Sequence, residues 1–150
     1  MTEFVYDDGG RSEHFKGVTG DCVVRAITIA AELPYKQVYD DLFEASREYK
    51  AKSRSKAAKR LSPSPRTGVY KEVFKPYLES LGWEWTPTMA IGSGCQVHLR
   101  PDELPSGRII VNLSRHIAAV IDGVVHDLYD PSREGTRCVY GYWSKPRQVH

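Results

Sequence analysis

Cysteine is scarce in this chain: three residues, Cys22, Cys95 and Cys138, an odd number with no close pair. That pattern argues against a disulfide framework and fits a reducing compartment. It leaves little for a metal as well. The only short ligand spacing is Cys95-Gln96-Val97-His98 with no second pair to match it, and a structural zinc takes four ligands, so no metal is expected. No uninterrupted apolar run approaches the ~18 residues of a membrane span. The first residues, Met1-Thr2-Glu3-Phe4-Val5-Tyr6-Asp7-Asp8, lack the basic and apolar regions of a signal peptide. From these absences the expectation is a cytoplasmic protein without a membrane partner; a monomer is expected as well.

What is present is an ordinary globular composition of 150 residues, 41% hydrophobic and 27% charged, which fits a single domain over 1–150. The net charge of +2 conceals an uneven distribution. From Ser46 to Arg66 eight basic residues (Arg47, Lys50, Lys52, Arg54, Lys56, Lys59, Arg60, Arg66) face one acid, Glu48, giving +7; the remaining 13 basic and 18 acidic residues give −5. Such a block reads first as a solvated, mobile insertion at about 47–67, and second as a surface that attracts nucleic acid or an acidic protein. Tyr49 is the one aromatic among the basic residues, too few for a base-stacking platform.

Along the chain, the texture changes once. After a polar lead-in with one strand at Phe4 to Tyr6, small and apolar residues at 23, 26, 27, 30 and 31 follow a helical period until Pro34 stops them. A second helix carries Tyr35, Val38, Tyr39, Leu42, Phe43 and Ala45 on one face, and a third, opened by Thr67-Gly68, runs through Val73, Phe74, Leu78 and Leu81 with Pro76 expected to kink or restart it. From Trp83 onward short β-like runs take over, at 83–85, 96–99, 108–113, 116–121, 124–128 and 138–143, with a helical turn between Pro101 and Pro105. Helices first and an antiparallel sheet after them predict an α+β domain.

Two places in this pattern carry chemistry. Cys22 opens the first helix, behind Gly20 and with Thr19 or Asp21 as its cap. The free N–H groups and the positive dipole end there favour the thiolate, which is the nucleophile. Taken alone, a free cysteine is more often a small buried hydrophobe, so a base has to be found. Asp122-Gly123 is the two-residue signal of a type I′ hairpin. That turn sets Ile121 opposite Val124, Ala118 opposite Asp127 and His116 opposite Tyr129, so that His116, Ala118, Val120, Val125, Asp127 and Tyr129 share one face. Asp127 is then the diagonal neighbour of His116 and can fix its tautomer, leaving the second ring nitrogen for a thiol. Asp130 is the alternative orienting group and Asn112 a more distant one. Trp83, Trp85, Tyr129 and Trp143 are candidates to line a substrate pocket, although large aromatics are by default core.

With Gly20-Asp21-Cys22, the His116 strand and Val125-His126-Asp127 in the order Cys, His, Asp, and with helices before the sheet, the chain resembles the papain-like cysteine peptidase superfamily. The resemblance is to its compact bacterial and phage-type members, similar to bacteriocin-leader peptidases. It implies N-terminal helices packed on a C-terminal antiparallel sheet. It also implies a cysteine-dependent hydrolase (peptidase, isopeptidase or amidase) acting on a peptide or protein, with Cys22, His116 and Asp127 as catalytic triad and no cofactor. Acyl transfer to an amine uses the same three residues. Where the family has a Gln some six residues before the cysteine, this chain has Lys16; Lys16, Thr19 and the backbone N–H of Cys22 are the candidate oxyanion donors. The competing expectation is a non-catalytic papain-like binding module that contacts nucleic acid or an acidic protein through residues 47–66.

Overall fold

The structure, a computed structural model, describes residues 3–15, 20–53, 64–65, 68–90 and 92–146. Within them the chain forms strand β1 (Glu3–Tyr6), helices α1 (Cys22–Ala31), α2 (Tyr35–Lys52) and α3 (Lys71–Ser80), and strands β2 (Glu84–Pro87), β3 (Val97–His98), β4 (Arg108–Leu113), β5 (His116–Ile121), β6 (Val124–Asp127), β7 (Cys138–Val139) and β8 (Gly141–Ser144). Single 3₁₀ turns sit at Arg11–Glu13 and Pro101–Glu103. None of the described helices is long and apolar enough to cross a membrane.

The architecture is α+β, with a six-stranded sheet in the order β1-β6-β5-β4-β8-β2 and a separate β3–β7 pair. One expectation fails here: the sheet is mixed, because β1 runs parallel to β6, Glu3 beside Val124 through Tyr6 beside Asp127. A tight turn can only return a strand antiparallel; β1 is followed by helices, so its partner comes from far along the chain and the same direction is open to it. The run 138–143 also divides, because Tyr140 turns aside to donate its N–H to the Asn112 carbonyl (2.9 Å). Pro76 lies within one helical stretch instead of interrupting it. It is on the exposed side of α3, where water can satisfy the carbonyl that loses its partner. That helix begins at Lys71, three residues later than Gly68 suggested.

Strand β5 is buried along nearly its whole length because the sheet is covered on both faces. Ile110, Ile117, Ala119 and Trp143 pack with the helices, through Val24, Ile27, Val38, Leu42, Phe74 and Leu78. On the other face Ile109, Val111, Ala118, Val120 and Val125 form a second cluster with Leu99 and Val139. Helix α1 lies along β5 in the same direction: its start meets His116, while its Ile29 carbonyl accepts a bond from Arg108 (2.8 Å), the partner of Ile121 at the other end. Ten residues of helix at ~1.5 Å each span about 15 Å and six of strand at ~3.3 Å each about 20 Å, so the helix covers most of the strand. The small side chains of Ala26, Ala30 and Ala119 at this contact are buried, and they let the helix approach the strand closely.

A further departure concerns cysteine. Cys95 and Cys138 are joined as a disulfide, with Cα atoms 5.8 Å apart and a separation of 43 positions in sequence. They meet because β3 pairs with β7, which sets His98 opposite Cys138. The spacing could not announce it, and the expectation of a reducing compartment loses the support it drew from the cysteine count.

Candidate active site

The first turn of α1 and the open end of the β5–β6 hairpin meet at the site. The hairpin turn is the expected one: Asp122 and Gly123 both have positive φ (48° and 81°), as a type I′ turn demands. A Cβ on Gly123 would fall 2.8 Å from that of Pro101, so glycine is needed there on two counts. Ile121 pairs with Val124, Val120 with Val125 and Ala119 with His126. Two residues further out, His116 and Asp127 are diagonal neighbours, and His116 Nε2 lies 2.5 Å from Asp127 Oδ2.

That contact fixes the ring. With Nε2 committed to the carboxylate, Nδ1 is the nitrogen left to face Cys22, whose side chain lies close enough to act on the imidazole. Burial pushes the His116 pKa down, but the hydrogen bond that the ring donates to Asp127, the contact with Cys22 and the charges of both groups outweigh it and raise it to about 9. The imidazole is therefore protonated at neutral pH. Only 8% of its side chain and 3% of that of Asp127 remain exposed, whereas Cys22 is half-buried. The exposed ring of Tyr129 leans over His116 with centroids 5.3 Å apart.

Asp127 is itself held. Its Oδ1 accepts the Leu128 N–H at 2.7 Å and faces Arg25 Nη2 at 3.4 Å. Arg25 also binds Asp21 one turn earlier on the same helix. Asp21, wholly buried, takes the Tyr35 hydroxyl at 2.6 Å and the Arg11 guanidinium as an ion pair at 3.1 Å. Burial, and then the bond to Asp21, keep the Tyr35 phenol well above its usual pKa, so it remains a donor. Asp21 occupies the N-cap position, yet its side chain makes no cap hydrogen bond. Its carboxylate turns instead to two arginines and a tyrosine, and the expectation of a capping role is overturned. Arg11, Arg25 and Tyr35 are not marked for this role by any sequence motif. The one signal is Arg25 itself, a charge four residues after Asp21 and set among Val23, Val24, Ala26 and Ile27 on a helix otherwise apolar.

No protein-family model, curated protein or solved structure matches the chain. What the site can do therefore follows from its own geometry.

Other sequence candidates fall into place around it. Asp130 is exposed, and its Oδ1 accepts the Ser132 N–H at 2.9 Å, which ties it to a turn. Asn112 lies in β4 opposite Ile117, and its Oδ1 is buried without a partner among the described residues. His126 points away and binds Asp7 at 3.1 Å. Trp83 and Trp143 belong to the core, with Trp85 packed on Trp143; of the four aromatics only Tyr129 borders the site. His98 pairs with Glu103 at 3.1 Å and Cys95 is in the disulfide, and no group of three metal-ligating side chains occurs among the described residues. The Cys22 N–H precedes the first intrahelical bond, which Arg25 N–H makes to the Asp21 carbonyl at 3.1 Å, so as an oxyanion donor it has no competing acceptor within the helix. Lys16 and Thr19 lie outside the described residues, as do residues 54–63, 66 and 67 of the basic segment; Arg47, Lys50 and Lys52 end α2.

Proposed function

We propose that the protein is a cysteine-dependent acyl-transfer hydrolase of the papain-like kind, cleaving an amide, peptide or isopeptide bond. The observation that carries this reading is the single line of contacts Cys22–His116–Asp127, built from a helix start and a hairpin end more than 90 residues apart in sequence. A half-buried thiol beside an imidazole that a buried carboxylate orients has the parts of nucleophilic catalysis.

In the proposed cycle Sγ attacks the carbonyl carbon of the substrate, and its proton resides on His116 Nδ1. The new C–S bond moves the carbonyl electron pair onto oxygen, where the Cys22 N–H at the positive end of α1 stabilises it. Collapse re-forms the carbonyl as the C–N bond breaks, and the Nδ1 proton goes to the departing amine. Water then attacks the thioester, gives its proton to Nδ1, and releases the acid and the thiol. An amine in place of water makes the same steps a transfer.

Alkylation of Cys22 by iodoacetamide, followed by peptide mass spectrometry over a pH series, tests the reading. We expect fast alkylation at neutral pH that falls by at least tenfold in His116→Ala. A Cys22 with the same rate and pH profile whatever occupies position 116 refutes it. Catalysis itself is then tested by screening peptide amides for turnover that Cys22→Ser abolishes.

A further inference from the structure

Beside His116 opens a cleft of about 650 Å³ whose lining includes Arg115, Tyr129, Asp130, Arg133 and Arg137. Two loops bring these arginines together: Arg115 lies in the β4–β5 turn, and Arg133 and Arg137 lie in the connection from β6 to β7. Among the described residues every other arginine stands within ion-pair distance of a carboxylate: Arg11 and Arg25 with Asp21, Arg47 with Glu44, Arg100 with Asp102, and Arg108 with Glu32. Arg115, Arg133 and Arg137 form no ion pair with a described carboxylate. Arg137 is instead pinned by two backbone carbonyls, its Nη2 donating to Ser114 at 2.5 Å and its Nη1 to Pro131 at 3.3 Å. Arg115 and Arg133 are exposed. Asp130, the single acid among the described residues that line the cleft, spends one oxygen on the Ser132 N–H. Three permanent cations thus face one carboxylate, and the surplus of positive charge awaits an anion from outside.

The mechanism tells which part of a substrate lies here. His116 must reach both Sγ and the departing amine, so the leaving group sits on the His116 side of Cys22, and the cleft is walled by His116. Guanidinium groups are well matched to planar carboxylates. We infer that this cleft is the leaving-group subsite and that it takes a carboxylate, so that the residue on the amine side of the scissile bond carries an acidic side chain or a free C-terminus. The assignment rests on the acyl-transfer reading, but binding of the acid does not need the thiol.

The test uses the full chain carrying Cys22→Ser and follows the His116 ring resonances by NMR at constant ionic strength. The titrants are N-acetylglutamic acid α-amide, N-acetylalanine, N-acetylglutamine amide and inorganic phosphate. A saturable shift with one of the two carboxylates, absent with the glutamine amide and weakened about five- to tenfold in Arg115→Gln/Arg133→Gln, is the expected result; whichever acid binds more tightly identifies a side-chain or C-terminal carboxylate. Equal binding of the neutral amide, an unchanged affinity in the double variant, or phosphate binding as tightly as either acid overturns the assignment. An inert Cys22 in the wild-type alkylation assay overturns the hydrolase reading instead, so the two failures are distinguishable.

Discussion

Replacing Asp127 by asparagine removes a buried negative charge 2.5 Å from His116 while keeping the side chain's size. With that charge present the imidazole titrates at about 9, against ~6.5 in an unfolded chain. The folded value is the higher one, so the contribution to stability is complete below ~6.5 and disappears as pH rises through about 9. The difference amounts to about 3 kcal/mol at pH ~6, about 1 kcal/mol at pH ~8 and nearly nothing by pH ~9.5. In Asp127→Asn burial still opposes the charged ring and only Cys22 supports it, so the His116 midpoint falls by more than one pH unit. Urea unfolding of wild type and variant over this range should show a stability gap that is widest near pH ~6 and narrows by roughly 2–3 kcal/mol towards pH ~9.5. The His116 Hε1 resonance supplies the midpoints directly. Asp130→Ala is the control, since its carboxylate serves the Ser132 turn, and it should leave the midpoint in place. A constant gap, or a His116 midpoint that moves equally in both variants, would refute the argument.

Arg25→Met leaves Asp21 without its partner on α1 and Asp127 facing a thioether, all in a buried region; unfolding free energy should drop by about 3–5 kcal/mol, and a loss below ~1 kcal/mol would contradict the bridging role. In the native oxidised protein one cysteine, Cys22, should react with maleimide, and all three should react after reduction in denaturant, as counted by intact mass. Reducing the Cys95–Cys138 bond, which closes a loop of 43 residues, should destabilise the chain by about 2–4 kcal/mol, read as a shift of the urea midpoint; three reactive thiols in the untreated protein would exclude the bond. Gly141 pairs with Asn112 and Pro87, and a Cβ there would sit 2.3 Å from the Trp85 ring and 2.9 Å from the Thr86 carbonyl. Gly141→Ala should therefore cost about 1–3 kcal/mol, with a changed tryptophan emission, and a neutral effect on both would show that β2 and β8 are not packed this closely.

The parts of this molecule that could be read from sequence are those in which a local rule leaves no freedom. A two-residue Asp122-Gly123 turn sets Ile121 against Val124, and from that pair the relation of His116 to Asp127 follows by counting alternate residues. The start of α1 was legible for a similar reason, since Gly20, the helical period after it and Pro34 bracket the helix. What could not be read depends on where distant segments dock. Nothing local tells Glu3–Tyr6 to lie parallel to β6, or Cys95 to meet Cys138 across β3 and β7.

Asp21 shows most clearly how a local rule can be overridden. Its position before Cys22 invites a helix cap, an interaction worth about 1 kcal/mol. In the folded chain it stands between Arg11, Arg25 and Tyr35, all buried, and two guanidinium groups left there without a counter-charge would cost several times as much. Neutralising the arginines therefore outweighs capping the helix, and the carboxylate turns inward. By doing so it holds one end of Arg25, whose other end faces Asp127. A residue that looked like a local cap is thereby linked, through one arginine, to the carboxylate that orients His116, and the geometry beside Cys22 depends on a cluster reaching back to Arg11.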